Sequence, residues 1–272
     1  MTNNQNFIHL PYFFKPNYKT DLLRLGKEND GGYCVPKESL KDTSILYSFG
    51  LGEDWSFEEQ FRKQSGAKIV CFDYSITSIF WIKKFIKDLI ALLLLQYEIK
   101  GLFKKFFCYF YYKFFFRKSE TIHEKSFFGT IGQHIPSLKN VEIIDLNAIL
   151  RKWINNNCFI KIDIEGNEYR ILDQIIEHQK KLSGLVIEFH DCDLMQEKIK
   201  IFLEKLELDL VHIHVNNFGI ITDKYFPAVI ELTFSPRKYN SKREKNENNF
   251  PIPNFDQPNN AKKKDINISF YQ

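Results

Sequence analysis

The sequence predicts an α/β protein built on a mostly parallel sheet with helices on both faces. Short, almost wholly apolar runs alternate with amphipathic helical patterns, and glycines or polar residues follow directly after the apolar runs. Near-continuous apolar strands are typical of parallel sheets that are buried on both sides. Ligands bind to such sheets beyond the carboxyl ends of the strands, so the residues after the strands are the candidates for a site.

The first unit of this pattern is a strand, a helix and a second strand. SILYSFGLG is predicted as a strand that ends in glycines, SFEEQFRKQSG as a helix with Ser56 as its N-cap, and AKIVCFDYS as the next strand. The alternation continues through VEIIDLNAIL, CFIKIDIEG, GLVIEFHD and the helix MQEKIKIFLEKLEL. The last pair, LVHIHVNNFGII and PAVIELTFSP, is predicted as an antiparallel hairpin at the sheet edge.

Residues 79–118 interrupt the alternation as a helical insertion. Apolar residues recur there at i, i+3, i+4 and i+7, which predicts two amphipathic helices divided near Gly101. Their lysine-bearing faces fit packing on the parent domain, a homodimer interface, a lid, or peripheral contact with an anionic membrane. Packing is the usual role of such helices. The chain is predicted to be one domain over 1–272, with a substrate and cofactor cap in 1–43.

The composition is that of an ordinary soluble protein, with 272 residues, 44% hydrophobic and 26% charged. A net charge of +4, dispersed lysines and the lack of a nucleic-acid motif predict no nucleic-acid partner. Five cysteines without a C-x-x-C pair are expected to be reduced thiols in the cytoplasm. The N-terminus lacks a secretory pattern, and the run LIALLLL is far shorter than the roughly 20 residues that span a bilayer. The predicted location is cytoplasmic, with the inner face of the cell membrane open as a peripheral site.

Glycines after the first strand and an acid after the second predict a cofactor that contains adenosine. Gly50 and Gly52 let the backbone approach a ligand, and Asp73 stands where an acid accepts hydrogen bonds from ribose hydroxyls. A nicotinamide dinucleotide needs a third glycine for its pyrophosphate, but Trp55 occupies that position. Carboxylates such as Glu53 crowd the turn and suit a sulfonium cation. The balance favours S-adenosylmethionine, with a nicotinamide-dependent reductase as the alternative.

Polar side chains gather at three further strand ends, namely Asp163 and Glu165, Glu188 and His190, and His212 and His214. Alternation along a strand places Glu188 and His190 on one face. Such residues suit a general base, with His190 in that role, beside a carboxylate that orients it. They equally suit a divalent metal such as magnesium, held by Asp163, Glu188 and His212. For His212 and His214, structural hydrogen bonding within the sheet is an equal alternative.

Eight blocks occur in order along nearly the whole chain outside 79–118: RLGKENDGGYCVP, SFGLGEDWSFEEQF, CFDYS, IKIDIEGNEYRIL, VIEFH, VHIHVNN, PAVIELTF and DQPNN. Together they resemble the FkbM family of S-adenosylmethionine-dependent methyltransferases, in the branch found in bacterial surface-glycan gene clusters. The resemblance implies a class I methyltransferase (Rossmann-like) fold and methyl transfer to oxygen. The implied acceptor is a sugar hydroxyl of a surface polysaccharide, such as capsule, or of its nucleotide-linked or lipid-linked precursor. The turn GLGED departs from the longer glycine-rich turn of many members.

The resemblance also implies roles for individual residues. It places Asp163 and Glu165 opposite the donor methyl group and the acceptor, and it raises a site role for Asp30 and Tyr33. The predicted catalytic residues are Asp163, Glu165, Glu188 and His190, and the predicted cofactor-binding residues are Asp30, Tyr33, Phe49, Gly50, Gly52, Glu53, Asp73 and Tyr74. Glu168 is predicted to favour the positive N-terminus of the following helix. Methylation of a nitrogen on a glycan substituent and a non-catalytic role at a membrane surface remain alternatives.

Overall fold

The computed structural model describes residues 7–93, 99–128, 143–152, 157–222, 226–240 and 244–272. The strands in these residues are β1 (Phe7–Pro11), β2 (Leu22–Leu25), β3 (Tyr33–Pro36), β4 (Ile45–Phe49), β5 (Lys68–Phe72), β6 (Thr121–Glu124), β7 (Phe127–Phe128), β8 (Ile143–Ile144), β9 (Cys158–Ile162), β10 (Leu182–Phe189), β11 (Leu208–Val215), β12 (Ile230–Pro236) and β13 (Asn267–Tyr271). The α-helices are α1 (Lys37–Asp42), α2 (Ser56–Ser65), α3 (Ser78–Leu93), α4 (Ile99–Phe115), α5 (Leu146–Lys152), α6 (Leu172–His178) and α7 (Cys192–Lys205).

A seven-stranded sheet with the order β11-β12-β10-β9-β4-β5-β6 forms the centre of the fold. Strands β10, β9, β4, β5 and β6 run parallel, and β12 is antiparallel to both β10 and β11. The chain builds outward from β4 through β5 and β6 on one side, and through β9 and β10 on the other. This is the doubly wound, Rossmann-like arrangement with an antiparallel edge pair, so the predicted fold class is confirmed.

The two faces of the sheet carry separate cores because successive side chains of a strand point to opposite faces. Ile160 and Ile162 pack on one face with residues from α5, α6 and α7. Phe159 packs on the other face with residues from α2, β3 and the α3–α4 pair. Lys161 lies between two of these apolar residues and therefore projects to the same face as Phe159.

The insertion at 79–118 consists of α3 and α4, as predicted, but the division between them differs. Helix α4 begins at Ile99 and includes Gly101, so the predicted break near Gly101 is wrong; residues 94–98 lie outside the described residues. Trp81 of α3 packs against Tyr109 and Tyr112 of α4 in tilted arrangements, with ring centroids 5.6 and 5.2 Å apart. Trp81 and Tyr112 belong to the core on the α2 face, so the insertion packs on the parent domain.

Three local predictions differ from the structure. Ser56 begins α2 but does not cap it, because its Oγ accepts the backbone N–H of Lys27. In VEIIDLNAIL the described part is a short strand, β8, and the start of α5; β8 pairs with β7 outside the main sheet. The parallel pairing of β1 with β13 joins the two ends of the chain and had no local signal.

The predicted cap in residues 1–43 is described from Phe7 onward. Its β2–β3 hairpin lies over the β10 and β12 part of the sheet, and the Thr233 hydroxyl donates to the Cys34 carbonyl at 3.0 Å. Among the described residues, no helix has both the length and the apolar character needed to cross a membrane.

Candidate active site

A cavity of about 580 Å³ opens beyond the carboxyl ends of β4, β5 and β9, beside the point where the strand order reverses. Doubly wound sheets bind their ligands at this position. Nine of the predicted site residues line it: Asp30, Tyr33, Gly50, Gly52, Glu53, Asp73, Tyr74, Asp163 and Glu165. Four of the predicted site residues do not line the cavity, namely Phe49, Glu188, His190 and His212. Phe49 is fully buried in the apolar core on the face of the sheet that packs against α5, α6 and α7.

The glycine turn after β4 requires a residue without a side chain at Gly50. Its φ of 82° lies in the left-handed region, and an added Cβ would stand 1.7 Å from the Asp163 carbonyl oxygen. Gly52 also has a positive φ, 58°, but no heavy atom lies within 4 Å of its missing Cβ. Gly50 therefore allows β4 and β9 to approach closely, and Gly52 leaves open space.

The Asp73 carboxylate holds this turn in place. Its Oδ2 accepts the backbone N–H groups of Leu51 and Gly52 at 3.0 and 2.9 Å, and its Oδ1 accepts the N–H and the hydroxyl of Ser75. Four hydrogen-bond donors of the protein thus surround Asp73, the residue that the sequence predicted to bind a ribose. The ribose contact stays a prediction, and the carboxylate already has a role in shaping the turn.

The hydroxyl of Tyr33 lies between two carboxylates, 2.9 Å from Asp163 Oδ2 and 3.3 Å from Glu188 Oε2. Burial raises the pKa of Tyr33 well above its usual value, and both carboxylates raise it further. The phenol therefore keeps its proton and donates it as a hydrogen bond. Burial, then the charges of Asp163 and Glu231, likewise raises the pKa of Glu188, which favours its neutral form.

Lys161 is a site residue that the sequence predictions missed. Its Nζ donates to the Gly50 carbonyl, lies 3.6 Å from Asp163 Oδ2 and stands 5.3 Å from the centre of the Tyr33 ring. Burial lowers the pKa of Lys161, but the carboxylates of Asp163 and Glu58 outweigh it, so the pKa is raised. The ammonium therefore stays charged. A lysine inside the apolar strand CFIKI was the signal available in the sequence.

His190 is held by carboxylates on both ring nitrogens. Its Nδ1 lies 3.0 Å from Glu168 Oε1, and its Nε2 lies 3.5 Å from Glu165 Oε2 and 3.8 Å from Glu188 Oε1. Burial lowers its pKa, but the hydrogen bond and charge of Glu168 outweigh burial and raise the pKa to about 9. The ring is therefore protonated at neutral pH. Its role as a general base stays a prediction, and this charge weighs against it at neutral pH.

Glu168 ties the end of β9 to His190 and does not act mainly as a helix cap. It is fully buried, and its Oε1 accepts the N–H groups of Ile164 and Gly166 at 3.1 and 3.2 Å as well as contacting His190. The turn after β9 therefore folds around this carboxylate. Glu165 occupies the turn with φ of 53° and an exposed side chain that points toward His190.

The predicted metal ligands Asp163, Glu188 and His212 do not share one site. Register pairs His212 with Thr233, Thr233 with Val186 and Val186 with Lys161, so three strand spacings, about 14 Å, separate β11 from β9. His212 instead pairs with Asp256 at 3.0 Å, near Cys34. Within the described residues, Asp163, Glu165 and His190 form the group of ligand atoms nearest to the cavity.

The block DQPNN binds other parts of the protein. Asn259 Nδ2 donates to Glu231 Oε1 at 2.7 Å, and Gln257 Oε1 accepts the N–H of Asn29 at 2.8 Å. Close by, His214 Nε2 lies 3.1 Å from the Asp265 carboxylate, which together with Glu231 raises its pKa to about 10 against the effect of burial. These contacts fasten the C-terminal segment over the sheet and beside the loop that carries Asp30.

No protein-family model matches the chain, so the resemblance to the FkbM family stays a prediction. No curated protein matches it either. Among solved structures, the chain is similar to a precorrin-6y C5,15-methyltransferase from Geobacter metallireducens GS-15, at 16% identity and TM-score 0.33 over 74% of this chain and 83% of that one.

A putative sarcosine dimethylglycine methyltransferase from Galdieria sulphuraria is similar at 8% identity and TM-score 0.31, over 74% of this chain and 81% of that one. A 30S ribosomal A1408 methyltransferase from an uncultured bacterium is similar at 10% identity and TM-score 0.29, over 79% of this chain and all 100% of that one. The fold assignment rests on the strand order given above.

Proposed function

We propose that this protein is an S-adenosylmethionine-dependent methyltransferase that transfers a methyl group to a sugar hydroxyl. The observation that carries the proposal is the charge of the cavity, whose wall holds seven carboxylates against two lysines. Such a wall repels the pyrophosphate of a nicotinamide dinucleotide and attracts a ligand with sulfonium and ammonium cations. The carboxylates are Asp30, Glu53, Asp54, Glu58, Asp73, Asp163 and Glu165, and the lysines are Lys27 and Lys161.

The residues present fit this donor. The turn at Gly50 and Gly52 lets a ligand approach the backbone, and Gly52 has open space where a side chain would stand. Tyr74, at the edge of the cavity, offers an aromatic face, and Glu53 a carboxylate. The donor would be held by this turn and by the residues after β5. When bound, it supplies a methyl group activated by the neighbouring positive sulfur.

We propose Asp163 as the group that accepts the proton of the acceptor hydroxyl. It lines the cavity, and its side chain is 26% exposed, whereas that of Lys161 is 5% exposed. The Tyr33 hydroxyl donates to Oδ2 and the Lys161 ammonium forms an ion pair with it. These contacts fix the carboxylate, while Oδ1 has no hydrogen-bond donor among the described residues and is available for a hydroxyl. General base catalysis by a positioned group contributes roughly 10²- to 10⁴-fold to rate. The sugar as acceptor rests on the sequence resemblance.

Calorimetry with S-adenosylmethionine and a fluorescence titration with NADH test the choice of cofactor. We expect saturable binding of the first and none of the second; the reverse result overturns the proposal. A screen of sugar nucleotides with a radiolabelled methyl donor, with and without magnesium, then identifies the acceptor. Methyl transfer to an amino sugar nitrogen alone would contradict transfer to oxygen.

The base assignment is tested with Asp163→Asn. We expect methyl transfer to fall by roughly 100-fold or more, because the amide cannot accept the proton. Donor affinity should fall far less than the rate, because the shape of the side chain is kept and six of the seven wall carboxylates remain. The matched control is Asp173→Asn, an exposed acid on α6 outside the cavity. Equal loss in both variants would contradict the assignment.

A further inference from the structure

The α3–α4 insertion presents large apolar side chains to solvent. On α3, Ile79, Ile86 and Ile90 are 63%, 50% and 51% exposed, and on α4 Phe114 is 63% exposed. Folded proteins rarely expose a contiguous group of such residues unless it meets another surface. The residues lie on elements that are otherwise well packed, since the opposite side of each helix belongs to the core.

Three of the exposed isoleucines of α3 form one stripe. With 3.6 residues per turn, Ile79, Ile86 and Ile90 fall within roughly 40° of one another around the helix axis. Trp81 and Asp88, both buried, lie on the opposite side. The helix thus has two apolar sides, one buried against α4 and the parent domain and one that the described residues leave uncovered.

Basic residues flank this stripe. Lys83 and Lys87 are exposed and lie roughly 40° to 80° to one side of its centre. On α4, Lys113, Arg117 and Lys118 are exposed near Phe114. An apolar stripe beside a row of lysines is the pattern of helices that lie in the interface of an anionic membrane.

The net charge of the insertion indicates whether its apolar face is covered by a second copy of the chain or by a lipid surface. Residues 78–118 contain nine basic and two acidic residues, a net charge of +7, whereas the whole chain is +4 and the remainder is therefore −3. A second copy of the chain would bring together two segments that each carry a net charge of +7, which costs free energy through like-charge repulsion. An anionic lipid surface gains from the same charge, by roughly 1 kcal/mol for each lysine near it.

We propose that the α3–α4 insertion docks this protein on the surface of a membrane that contains anionic lipids. Ile79, Ile86 and Ile90 enter the interface, and Lys83 and Lys87 lie at the level of the headgroups. Docking on the surface agrees with the finding that no described helix can cross a bilayer.

The α3–α4 insertion, which carries the docking surface, packs beside the cavity. Lys84 of α3 forms an ion pair with Glu53, which lines the cavity, and Tyr111 of α4 donates to Glu59 of α2. Trp55, at the start of α2, contacts the Tyr111 ring at 5.5 Å between centroids. A docked protein would therefore present its cavity near the lipid headgroups. If the proposed function holds, on which this step rests, the acceptor is a sugar carried by a membrane lipid.

The test is co-sedimentation of the full chain with two kinds of vesicle, phosphatidylcholine alone and phosphatidylcholine with phosphatidylglycerol, without any methyl donor. We expect binding to the second kind only, weakened by added salt. Lys83→Gln with Lys87→Gln should weaken it roughly 25-fold, at about fivefold for each lysine. The matched control, Lys198→Gln with Lys205→Gln, removes the same charge from exposed positions of α7 and should change binding less than twofold.

The apolar stripe is tested with Ile86→Glu against Leu194→Glu, a change at a 77% exposed leucine of α7. Only the first should abolish binding to the vesicles. Equal binding to neutral and anionic vesicles, or no effect of Ile86→Glu, overturns the proposal. So does a dimer in light scattering that Ile86→Glu converts to a monomer. Calorimetry with S-adenosylmethionine on the same proteins keeps the two proposals apart, because donor binding and vesicle binding can each fail alone.

Discussion

The Tyr33 hydroxyl lies 2.9 Å from Asp163 Oδ2 and so joins the first residue of β3 to the residue that follows the central strand β9, 130 residues away in the chain. Lys161 approaches the same oxygen from within the sheet, at 3.6 Å. A hydrogen bond from one element and an ion pair from another thus fix one carboxylate in the wall of the cavity. Such a carboxylate needs no rearrangement before it meets a substrate, which is the advantage of a preorganised site.

Tyr33→Phe removes this hydrogen bond and keeps the ring, which packs edge-on against Phe57 at 5.4 Å between centroids. We expect methyl transfer to fall by roughly 10- to 100-fold, because a hydrogen bond to a charged group is worth roughly 1.5–3 kcal/mol. Donor affinity should change less than the rate. Initial rates under saturating donor, together with calorimetry, measure the two effects separately.

The control for this variant is Tyr47→Phe. Tyr47 is also buried in the sheet, but its hydroxyl has no hydrogen-bond partner among the described residues. Removing that hydroxyl should leave the rate unchanged and should not lower stability. A rate loss of similar size in both variants would show that Tyr33 acts through packing alone.

Gly50→Ala is expected to disrupt the turn, and Gly52→Ala to strain it mildly. Both residues have positive φ, which costs a non-glycine residue roughly 1–2 kcal/mol. Only Gly50 would also press its Cβ against the backbone of Asp163, a contact that no side-chain rotation relieves. Urea denaturation should show a much larger loss of stability for Gly50→Ala. Equal losses would contradict the close approach of β4 to β9.

Asp73→Asn tests the carboxylate that holds the turn. The amide keeps one accepting oxygen and turns the other position into a donor, which then faces either the two N–H groups of Leu51 and Gly52 or the N–H and hydroxyl of Ser75. We expect stability to fall by roughly 2 kcal/mol and donor affinity to fall with it, since the turn forms the cavity wall. Ser75→Ala removes a single donor to Asp73 and should cost less than half as much. Full affinity in Asp73→Asn would count against the role of the turn.

The sequence located six of the seven strands of the central sheet because each is a mostly apolar run, as in CFIKI and LSGLVIEF. It missed β6, since TIHE is short and half polar. It also located Gly50, Gly52 and Asp163, since residues directly after parallel strands meet at one edge of a sheet. These are local features, and the topology brings them together without further information.

The protonation states and hydrogen-bond partners of the site residues could not be predicted from the sequence, because they depend on residues that are distant in the chain. The imidazolium of His190 results from Glu168, 22 residues earlier, which no periodicity pairs with it. His212 is separated from Asp163 by the position of β12, which stands between β10 and β11. The predicted break between the two helices near Gly101 is wrong because a glycine is tolerated inside a helix that tertiary packing stabilises.

The protonated His190 ring is expected to make the folded protein less stable at alkaline pH than at neutral pH. Its folded-state pKa of about 9 exceeds the ordinary value of about 6.5, so its contribution is complete below about pH 6.5 and is lost as the pH rises through 9. The loss amounts to as much as about 3 kcal/mol. His214, with a pKa of about 10, acts in the same direction. Urea denaturation at neutral and alkaline pH should therefore show a steeper fall for the wild type than for His190→Gln. Parallel pH curves for the two proteins would contradict an imidazolium at this position.

Asp256→Asn tests whether the buried pair of His212 and Asp256 is structural or belongs to the active site. The Asp256 carboxylate lies 3.0 Å from His212 Nε2 and accepts the N–H of Ile252 at 2.6 Å; burial raises its pKa, but His212 outweighs this and the pKa is lowered. Breaking a buried pair on one side costs roughly 3–5 kcal/mol, so the melting temperature should drop sharply. Donor affinity and methyl transfer should remain near wild type at temperatures where the variant is folded, because His212 lies three strands from β9. The opposite pattern, normal stability with lost activity, would place His212 and Asp256 in the chemistry and not in the scaffold.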